Sequence, residues 1–115
     1  MRKIIPIILS SFIASSALAG EVVLKNAEIT NLLTDIVLQG ESNGQQVSQI
    51  FQKSGATFYN VGAAQSQGSW KVEADQYCSV WPPNPTWACY DVARDGDKVT
   101  FISNSGKRIE MSLTK

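Results

Sequence analysis

The sequence contains no histidine, and cysteine occurs only twice in its 115 residues. The lack of histidine excludes Ser-His-Asp and Cys-His catalytic groups, and it also excludes metal sites built from histidine. Glycine occurs eight times, but never in the spacing of a phosphate-binding loop or a dinucleotide fingerprint. These absences favour a protein that is not an enzyme and that needs no cofactor.

The chain also lacks an apolar run long enough to cross a membrane, which takes about 20 residues. Its longest apolar stretch, residues 4–14, follows two basic residues and precedes the small-x-small site at 17–19. That order is typical of a secretory signal peptide over residues 1–19. We therefore expect a single mature domain over residues 20–115, periplasmic or secreted from a Gram-negative bacterium.

Neither sign of charge dominates the chain. Ten basic residues balance ten acidic ones in the whole sequence, and the expected mature domain carries eight basic against ten acidic residues. No run of lysine and arginine is present of the kind that contacts phosphate groups. Nucleic-acid binding and stable membrane insertion are therefore not expected. Another protein is the expected partner, with a small apolar ligand as the alternative.

The two cysteines, Cys78 and Cys89, stand eleven residues apart in a short chain with an export signal. Cysteines in that context predict a disulfide. In the chain-entropy account such a bridge contributes about 3 kcal/mol, a large share of the stability of a small domain. A redox-active pair would be expected as Cys-x-x-Cys, so the wider spacing favours a structural bridge.

The first half of the domain predicts one short helix followed by strands. Asn26 is placed to cap the helix, with Glu28 in its first turn and apolar residues at helical spacing after it. The strand candidates that follow are 36–41, 45–52 and 56–61. The segment from Gly62 to Gly68 is small and polar, and we expect a mobile connection there.

The second half can be registered as consecutive hairpins. Placing Cys78 opposite Cys89 leaves Pro82 to Pro85 as a four-residue tip. Turns are predicted at Ala74-Asp75, at Asp95-Gly96 and at Asn104-Ser105-Gly106. The resulting pairs are Trp70–Ser79, Val72–Tyr77, Tyr77–Tyr90, Ser79–Ala88, Val80–Trp87, Tyr90–Phe101, Val92–Val99, Phe101–Ile109 and Val99–Met111.

These registers gather the apolar and aromatic side chains on one face of the sheet. Its members are Trp70, Val72, Tyr77, Tyr90, Val92, Val99, Phe101, Ile109, Met111 and Leu113. A one-residue slip would scatter them over both faces, so their agreement supports the register. We predict a mainly β domain, an antiparallel meander curled into a small barrel or half-barrel around the short N-terminal helix. The pattern alone leaves open whether the sheet closes.

Two groups of carboxylates are candidates for chemical sites. Asp91, Asp95 and Asp97 lie near a glycine, but the calcium-loop pattern with its terminal glutamate is absent. A plain hairpin is therefore expected there, without a metal. Glu73 and Asp75 would have to act as the acid pair of a hydrolase, and a solvated turn is the simpler interpretation.

The segment between the cysteines is the main binding candidate. Tryptophan is enriched at binding hot spots, and a stiff loop loses little entropy on docking. The candidate binding loop comprises Trp81, Pro82, Pro83, Asn84, Pro85 and Trp87. By the predicted register Trp81 faces the core and packs there. Trp87 faces the other way, where recognition of a partner and shielding of the disulfide both remain open.

The motifs Gly68-Ser69-Trp70, Cys78-Ser79-Val80-Trp81 and the later Cys89 form a G-x-W…C-x-x-W…C pattern. This pattern resembles a family of small exported bacterial β-sheet domains, largely of unknown function, over about residues 29–101. The resemblance implies a lipocalin-like sheet. It does not imply an activity, because fold does not determine function.

A second resemblance involves Ser54-Gly55-Ala56-Thr57-Phe58-Tyr59. This stretch is similar to the Ser-Gly-x-x-Tyr segment of periplasmic lysozyme-inhibitor domains, with Phe58 in the position of the tyrosine. The resemblance implies a small disulfide-bearing barrel that presents a loop to an enzyme cleft.

Three functions follow from these observations. The leading hypothesis is a non-enzymatic periplasmic protein-binding or inhibitory domain that uses the candidate binding loop or a sheet edge. The alternative is a carrier of a small apolar ligand in the cupped face of the sheet. A carboxylate hydrolase that uses Glu73 and Asp75 is the third.

Overall fold

The computed structural model describes residues 20–114. The predicted signal peptide, residues 1–19, lies outside the described residues. The elements are β1 (Val22–Val23), α1 (Asn26–Leu33), β2 (Ile36–Ser42), β3 (Gln45–Phe51), β4 (Ala56–Val61), β5 (Ala64–Glu73), β6 (Gln76–Val80), β7 (Ala88–Asp95), β8 (Lys98–Ser103) and β9 (Arg108–Leu113). No helix within this range is long and apolar enough to cross a membrane.

Strands β2 to β9 form a closed, eight-stranded antiparallel barrel. Consecutive strands pair from β2 through β9, and β9 returns to pair with β2 through Leu38–Leu113 and Gln39–Ser112. The short β1 pairs with β7 beside the barrel, where Val22 lies opposite Arg94. The predicted mainly β fold is confirmed, and the sheet closes into a barrel.

The two ends of the barrel differ. The plugged end carries α1 and the turns at 52–55, 74–75 and 96–97, whereas the open end carries the turns at 43–44 and 62–63 and the loops 81–87 and 104–107. Helix α1 packs Ile29 and Leu33, both fully buried, into the apolar core at the plugged end. The other core members are Leu24, Leu38, Val47, Phe51, Trp70, Tyr77, Val92, Val99, Phe101 and Met111.

The start of α1 lies one residue before the predicted position. Lys25, not Asn26, is the N-cap residue, and its backbone N–H donates to the Glu28 carboxylate at 2.8 Å. The Asn26 side chain has a different role. Its Oδ1 accepts from the Asp75 N–H at 2.7 Å, while the Asp75 carboxylate accepts from the Asn26 N–H at 2.9 Å. These two hydrogen bonds connect the start of the helix to the β5–β6 turn.

The prediction of a mobile connection from Gly62 to Gly68 was wrong. The chain turns within two residues, with Gly62 at φ 58°, and β5 begins at Ala64 opposite Val61. Strand β4 then pairs with β5 up to the Ala56–Ser69 pair. Small polar residues are compatible with this strand because part of its inner face borders a cavity instead of the packed core. The neighbouring strand predictions are confirmed within one residue at each end.

Most of the hairpin registers are confirmed. The pairs Trp70–Ser79, Val72–Tyr77, Tyr77–Tyr90, Cys78–Cys89, Ser79–Ala88, Phe101–Ile109 and Val99–Met111 all form. The β6–β7 ladder ends at Ser79–Ala88, so the predicted Val80–Trp87 pair is absent from it. The tip is therefore longer than the four residues predicted, because residues 81–87 all lie outside the strands.

The β7–β8 turn was predicted one residue too early. Asp95 pairs with Lys98, so Gly96 and Asp97 are the central residues, with Gly96 at φ 61°. A glycine at the first central position suits a type II′ turn, which the sequence permits as readily as the predicted type I′. Val92 consequently lies opposite Phe101, and Tyr90 lies opposite Ser103. Because the shift is two residues, every side chain keeps its predicted face.

Candidate functional site

A cavity of about 500 Å³ occupies the open end of the barrel. It reaches the surface, because its lining includes Ser66 and Gln67, which are exposed, and Ile109, which is 38% exposed. Its lining residues are Gln49, Tyr59, Ser66, Gln67, Tyr77, Ser79, Trp81, Pro82, Tyr90, Phe101, Ile109 and Met111. None of these side chains is charged at neutral pH.

The alternation of strand residues explains how this lining assembles. Inward positions two residues apart on β6 supply Tyr77 and Ser79, and Phe101 and Met111 come from the corresponding face of β8 and β9. All three tyrosines of the chain are among the lining residues. A tyrosine presents an apolar ring with a polar tip, so the cavity wall can both stack with and hydrogen-bond to a guest.

Aromatic packing holds the base of the cavity in place. The Tyr77 ring stacks on Phe101 with centroids 4.7 Å apart and lies 6.0 Å from Tyr90. Below them, the fully buried Phe51 meets Tyr77 edge to face at 5.6 Å and Trp70 at 5.7 Å. Edge-to-face and offset pairs of this kind contribute beyond their buried area. The wall is therefore preformed by the core below it.

Trp81 forms part of the upper wall. Its indole N–H donates to Ser79 Oγ at 3.0 Å, and its ring lies 6.2 Å from the ring of Tyr59. The ring occupies the space above Gly68, where a Cβ would lie 2.8 Å from the indole and would also collide with the Val80 carbonyl. The predicted inward orientation of Trp81 is confirmed. It packs against the rim of a cavity, which the pattern did not reveal.

A polar cluster lies at the base of the same cavity. Gln49 is only 5% exposed, and its Nε2 donates to Thr57 Oγ1 at 3.0 Å and to the Tyr77 hydroxyl at 2.9 Å. Thr57 in turn donates to the Ile50 carbonyl at 2.8 Å. Since that bond uses the only hydroxyl hydrogen of Thr57, the Gln49 atom facing it must be the NH₂ donor. The orientation of the Gln49 amide is thereby fixed.

Tyr77 stays protonated in this setting. Burial raises the pKa of Tyr77 above its usual value, and this outweighs the opposing effect of hydrogen bonds with Ser79 and Gln49. The nearby Tyr90 raises the pKa of Tyr77 further. The phenol therefore remains a neutral hydroxyl throughout the physiological pH range.

The disulfide and Trp87 lie on the outside of the barrel. Cys78 and Cys89 are bonded, as predicted, and join adjacent positions of β6 and β7. Lys71 pairs with Cys78 across the β5–β6 ladder, and its Nζ lies 4.2 Å from the ring centroid of Trp87. Trp87 nevertheless remains 38% exposed. It is thus partly covered by a lysine and partly available to a partner.

The candidate binding loop is divided between two surfaces. Trp81 and Pro82 line the cavity, and a cis peptide bond joins Pro82 to Pro83. Asn84 orders the outer part, because its Oδ1 accepts from the Thr86 N–H at 2.9 Å. Residues 82–88 are all exposed. The remaining members, Pro83, Asn84, Pro85 and Trp87, do not line the cavity.

Sequence reasoning missed Gln49, Tyr59, Ser66 and Gln67 as candidate site residues. It placed Tyr77 and Tyr90 correctly on the apolar face, but it did not indicate that they border a cavity. A signal was available: all three tyrosines take inward positions at which a filled core would favour phenylalanine or leucine. A buried hydroxyl or amide usually needs a partner.

The candidate carboxylates lie elsewhere. On the barrel surface, the Glu73 carboxylate lies 3.4 Å from Lys71 Nζ. The Asp75 carboxylate accepts a hydrogen bond from the Asn26 N–H at the plugged end. Asp91 accepts from Gln76 at 3.1 Å. Between residues 20 and 114, no three acidic or cysteine side chains come together as a metal site would need.

The segment 54–59, similar to part of lysozyme inhibitors, forms the β3–β4 turn and most of β4. Tyr59 points into the cavity, whereas Ser54 and Gly55 lie at the plugged end. Comparison with known protein families, with curated proteins and with solved structures finds no match for this chain. Both family resemblances therefore stay predictions.

Proposed function

We propose that this protein is a non-enzymatic carrier that binds a small, uncharged ring compound in the open end of its barrel. The observation that carries the proposal is the cavity of about 500 Å³ lined only by uncharged side chains, among them five aromatic rings. Ligand pockets are commonly about 300–1,000 Å³ and combine apolar walls with a few polar groups. The lining has that composition.

The lining also indicates what is not carried. A buried charge is costly unless an opposite charge accompanies it, and no lysine, arginine, aspartate or glutamate side chain lines this cavity. Five aromatic side chains line the cavity, and aromatic rings can stack on a flat guest.

The carrier is proposed to work outside the cytoplasm. The Cys78–Cys89 bond is a feature of oxidising compartments, and the signal segment over 1–19 predicts export to the periplasm. Amino-terminal sequencing of the purified protein would check this directly. A start at Gly20 is expected, and retention of the first residues in the mature protein would contradict it.

The fluorescent neutral probe N-phenyl-1-naphthylamine offers a direct test of the cavity. We expect the emission of the probe to rise on binding and the tryptophan emission of the protein to fall, because Trp81 lines the cavity. The substitution Ser66→Trp should fill the cavity and weaken probe binding at least about tenfold, a loss of about 1.4 kcal/mol. Mass spectrometry of the natively purified protein would show whether a cellular ligand is already bound.

The matched control is Ser69→Trp, which changes the same residue type on the same strand. Ser69 is exposed and is not among the cavity residues. Probe binding should therefore survive Ser69→Trp. No enhancement with the unmodified protein, or equal losses from the two variants, would remove the carrier proposal.

A second candidate function is recognition of another protein by the outer part of the loop. The observation that favours it is Trp87, 38% exposed beside Lys71 on a loop whose base is closed by a disulfide. Tryptophan is enriched among the residues that contribute most of the binding energy at protein interfaces. This surface lies outside the barrel, so occupation of the cavity would not block it.

A pull-down from periplasmic extract, with lysozyme as a separate bait, would test this second function. Trp87→Ala should weaken capture of a specific partner at least about tenfold, with little change in melting temperature. The exposed neighbour Thr86 supplies the control Thr86→Ala. Unchanged capture by the Trp87→Ala protein would exclude the loop as the recognition surface.

A further inference from the structure

The base of the cavity has hydrogen-bonding groups that the protein itself leaves unused. No hydrogen bond to Gln49 Oε1 forms among residues 20–114, although the residue is only 5% exposed. Both hydrogens of its Nε2 are used, by Thr57 and by Tyr77. Turning the amide over would place Oε1 against Thr57 Oγ1, whose only hydrogen is already donated to the Ile50 carbonyl, so Oε1 keeps its position as an acceptor.

A donor is left over beside it. Tyr77 and Ser79 are each only 3% exposed and each carries one hydroxyl hydrogen. The Tyr77 oxygen already accepts from Gln49, and Ser79 Oγ already accepts from the indole of Trp81. A bond between the two hydroxyls would use only one of their hydrogens. At least one hydroxyl donor therefore remains without an acceptor in the described part of the chain.

The Tyr77 hydroxyl lies beside the Gln49 amide, and Ser79 follows two residues later on the same strand, β6. The Tyr77 oxygen is 2.9 Å from Gln49 Nε2, on the same amide that carries the free Oε1. Leaving a buried donor or acceptor unsatisfied costs about 1–3 kcal/mol for each group, so a guest that satisfies both gains affinity and selectivity. The rings of Tyr59, Tyr90, Trp81 and Phe101 line the same cavity.

From this arrangement, and on the basis of the proposed carrier function, we infer that the ligand is a flat, uncharged ring with a secondary-amide edge. Its N–H donates to Gln49 Oε1, and its adjacent carbonyl accepts from the hydroxyl of Tyr77 or Ser79. Lactams and cyclic imides carry this edge. An anion would face the Gln49 oxygen without a cation in the lining, and a quaternary cation would leave the hydroxyl donor unsatisfied.

The test compares probes of one ring size on the intact, disulfide-bonded domain. These are 2-quinolinone, which has the amide edge; N-methyl-2-quinolinone, which lacks the donor; naphthalene, which lacks both groups; N-methylquinolinium; and quinoline-2-carboxylate. Dissociation constants come from quenching of the protein's tryptophan emission, to which Trp81 in the cavity wall contributes. We expect 2-quinolinone to bind at least about tenfold more tightly than each of the other four.

Two variants locate the effect. Gln49→Met removes the acceptor with little change of volume, and Tyr77→Phe removes one hydroxyl while keeping the ring on Phe101. In the unmodified protein, the dissociation constant of N-methyl-2-quinolinone should exceed that of 2-quinolinone. In the Gln49→Met protein, the ratio of these two dissociation constants should fall towards one. Tyr77→Phe should narrow the preference for 2-quinolinone over naphthalene. A general loosening of the barrel would weaken binding of all the probes alike and leave the ratios of their dissociation constants unchanged. A change in a ratio therefore reports lost recognition of one group.

The outcomes distinguish this inference from the carrier proposal. If naphthalene and both quinolinones bind equally well to the unmodified protein, the amide edge is not recognised, and the cavity remains a carrier site. Tighter binding of N-methylquinolinium or the carboxylate would also overturn the inference. If none of the five probes binds and N-phenyl-1-naphthylamine also fails, the carrier proposal itself falls. Because the probe comparison on the unmodified protein needs no variant, it decides whether the amide edge is recognised even if Gln49→Met folds poorly.

Discussion

The plugged end and the open end of the barrel are built by the same alternation of strand residues, yet they differ in what fills the interior. At the plugged end the inward side chains meet α1, and Leu33 and Phe51 are fully buried. At the open end the inward side chains border a cavity, and tyrosines, serines and glutamines are mixed there with apolar residues. Alternation therefore determines which residues face inward, whereas a plugging element determines whether the interior is packed.

The largest effect is expected from breaking the plugged end. Phe51→Ala removes a fully buried ring that meets Trp70, Tyr77 and Phe101, and we expect it to lower the free energy of unfolding by about 3–5 kcal/mol. Tyr59→Ala is the matched change at the open end, where the half-buried ring borders a cavity, and about 1 kcal/mol is expected. Urea denaturation measures both. Equal losses would mean that stability is not concentrated at the plugged end.

Removal of the disulfide should cause the second-largest loss of stability, and this loss should act mainly at the open end. Replacing both Cys78 and Cys89 with alanine is expected to lower the free energy of unfolding by about 2–4 kcal/mol. Hydrogen exchange should increase first in loop 81–87 and in the flanking ends of β6 and β7, while α1 stays protected. A uniform loss of protection over the whole barrel would contradict this division between the two ends.

Gly68→Ala should alter the rim without touching the plug. An added Cβ would collide with the Trp81 ring and the Val80 carbonyl, so we expect a loss of about 1–3 kcal/mol and a shifted Trp81 emission maximum. The neighbouring Ser69→Ala, which is exposed, should change stability by less than about 0.5 kcal/mol. If both substitutions left the tryptophan emission unchanged, the close contact with Gly68 would not determine the position of the Trp81 ring.

The smallest effect is expected outside the barrel. Lys71→Met removes the charge over the Trp87 ring and should cost about 0.5 kcal/mol, together with a change in Trp87 emission. Lys98→Met is the control, because both lysines form exposed ion pairs with a glutamate and only Lys71 lies over an indole. Indistinguishable melting curves and spectra for the two variants would argue against a cation–π contribution at Trp87.

Much of the fold could be predicted because local chemistry and alternation agreed. The Cys78–Cys89 and Phe101–Ile109 registers follow from turn residues and from one apolar face. The β7–β8 turn could not be placed, since Asp95-Gly96 and Gly96-Asp97 both accommodate a two-residue turn and both keep the apolar face intact. Side chains alternate between the two faces with a period of two, so a register shift of two residues leaves the apolar face unchanged and cannot be detected from the pattern.

The candidate site was predicted only at its edge. Trp81 was correctly placed inward, but the cavity beside it was not foreseen, because a pattern of inward residues does not say whether the space between them is filled. The segment Gly62 to Gly68 has the small, polar residues that are typical of a mobile connection. Those properties belong instead to the part of β5 that borders the cavity, including Ser66 and Gln67.

Both ends of the described chain emerge at the plugged end. Val22 pairs beside the β7–β8 turn, and the Leu113 N–H donates to the Asp97 carbonyl at 2.8 Å. A tether joined to either terminus would therefore hold the molecule by its base, with the mouth directed outward. Immobilised on a sensor chip in this way, the protein would keep its entrance accessible, whereas anchoring through loop 81–87 would obstruct it.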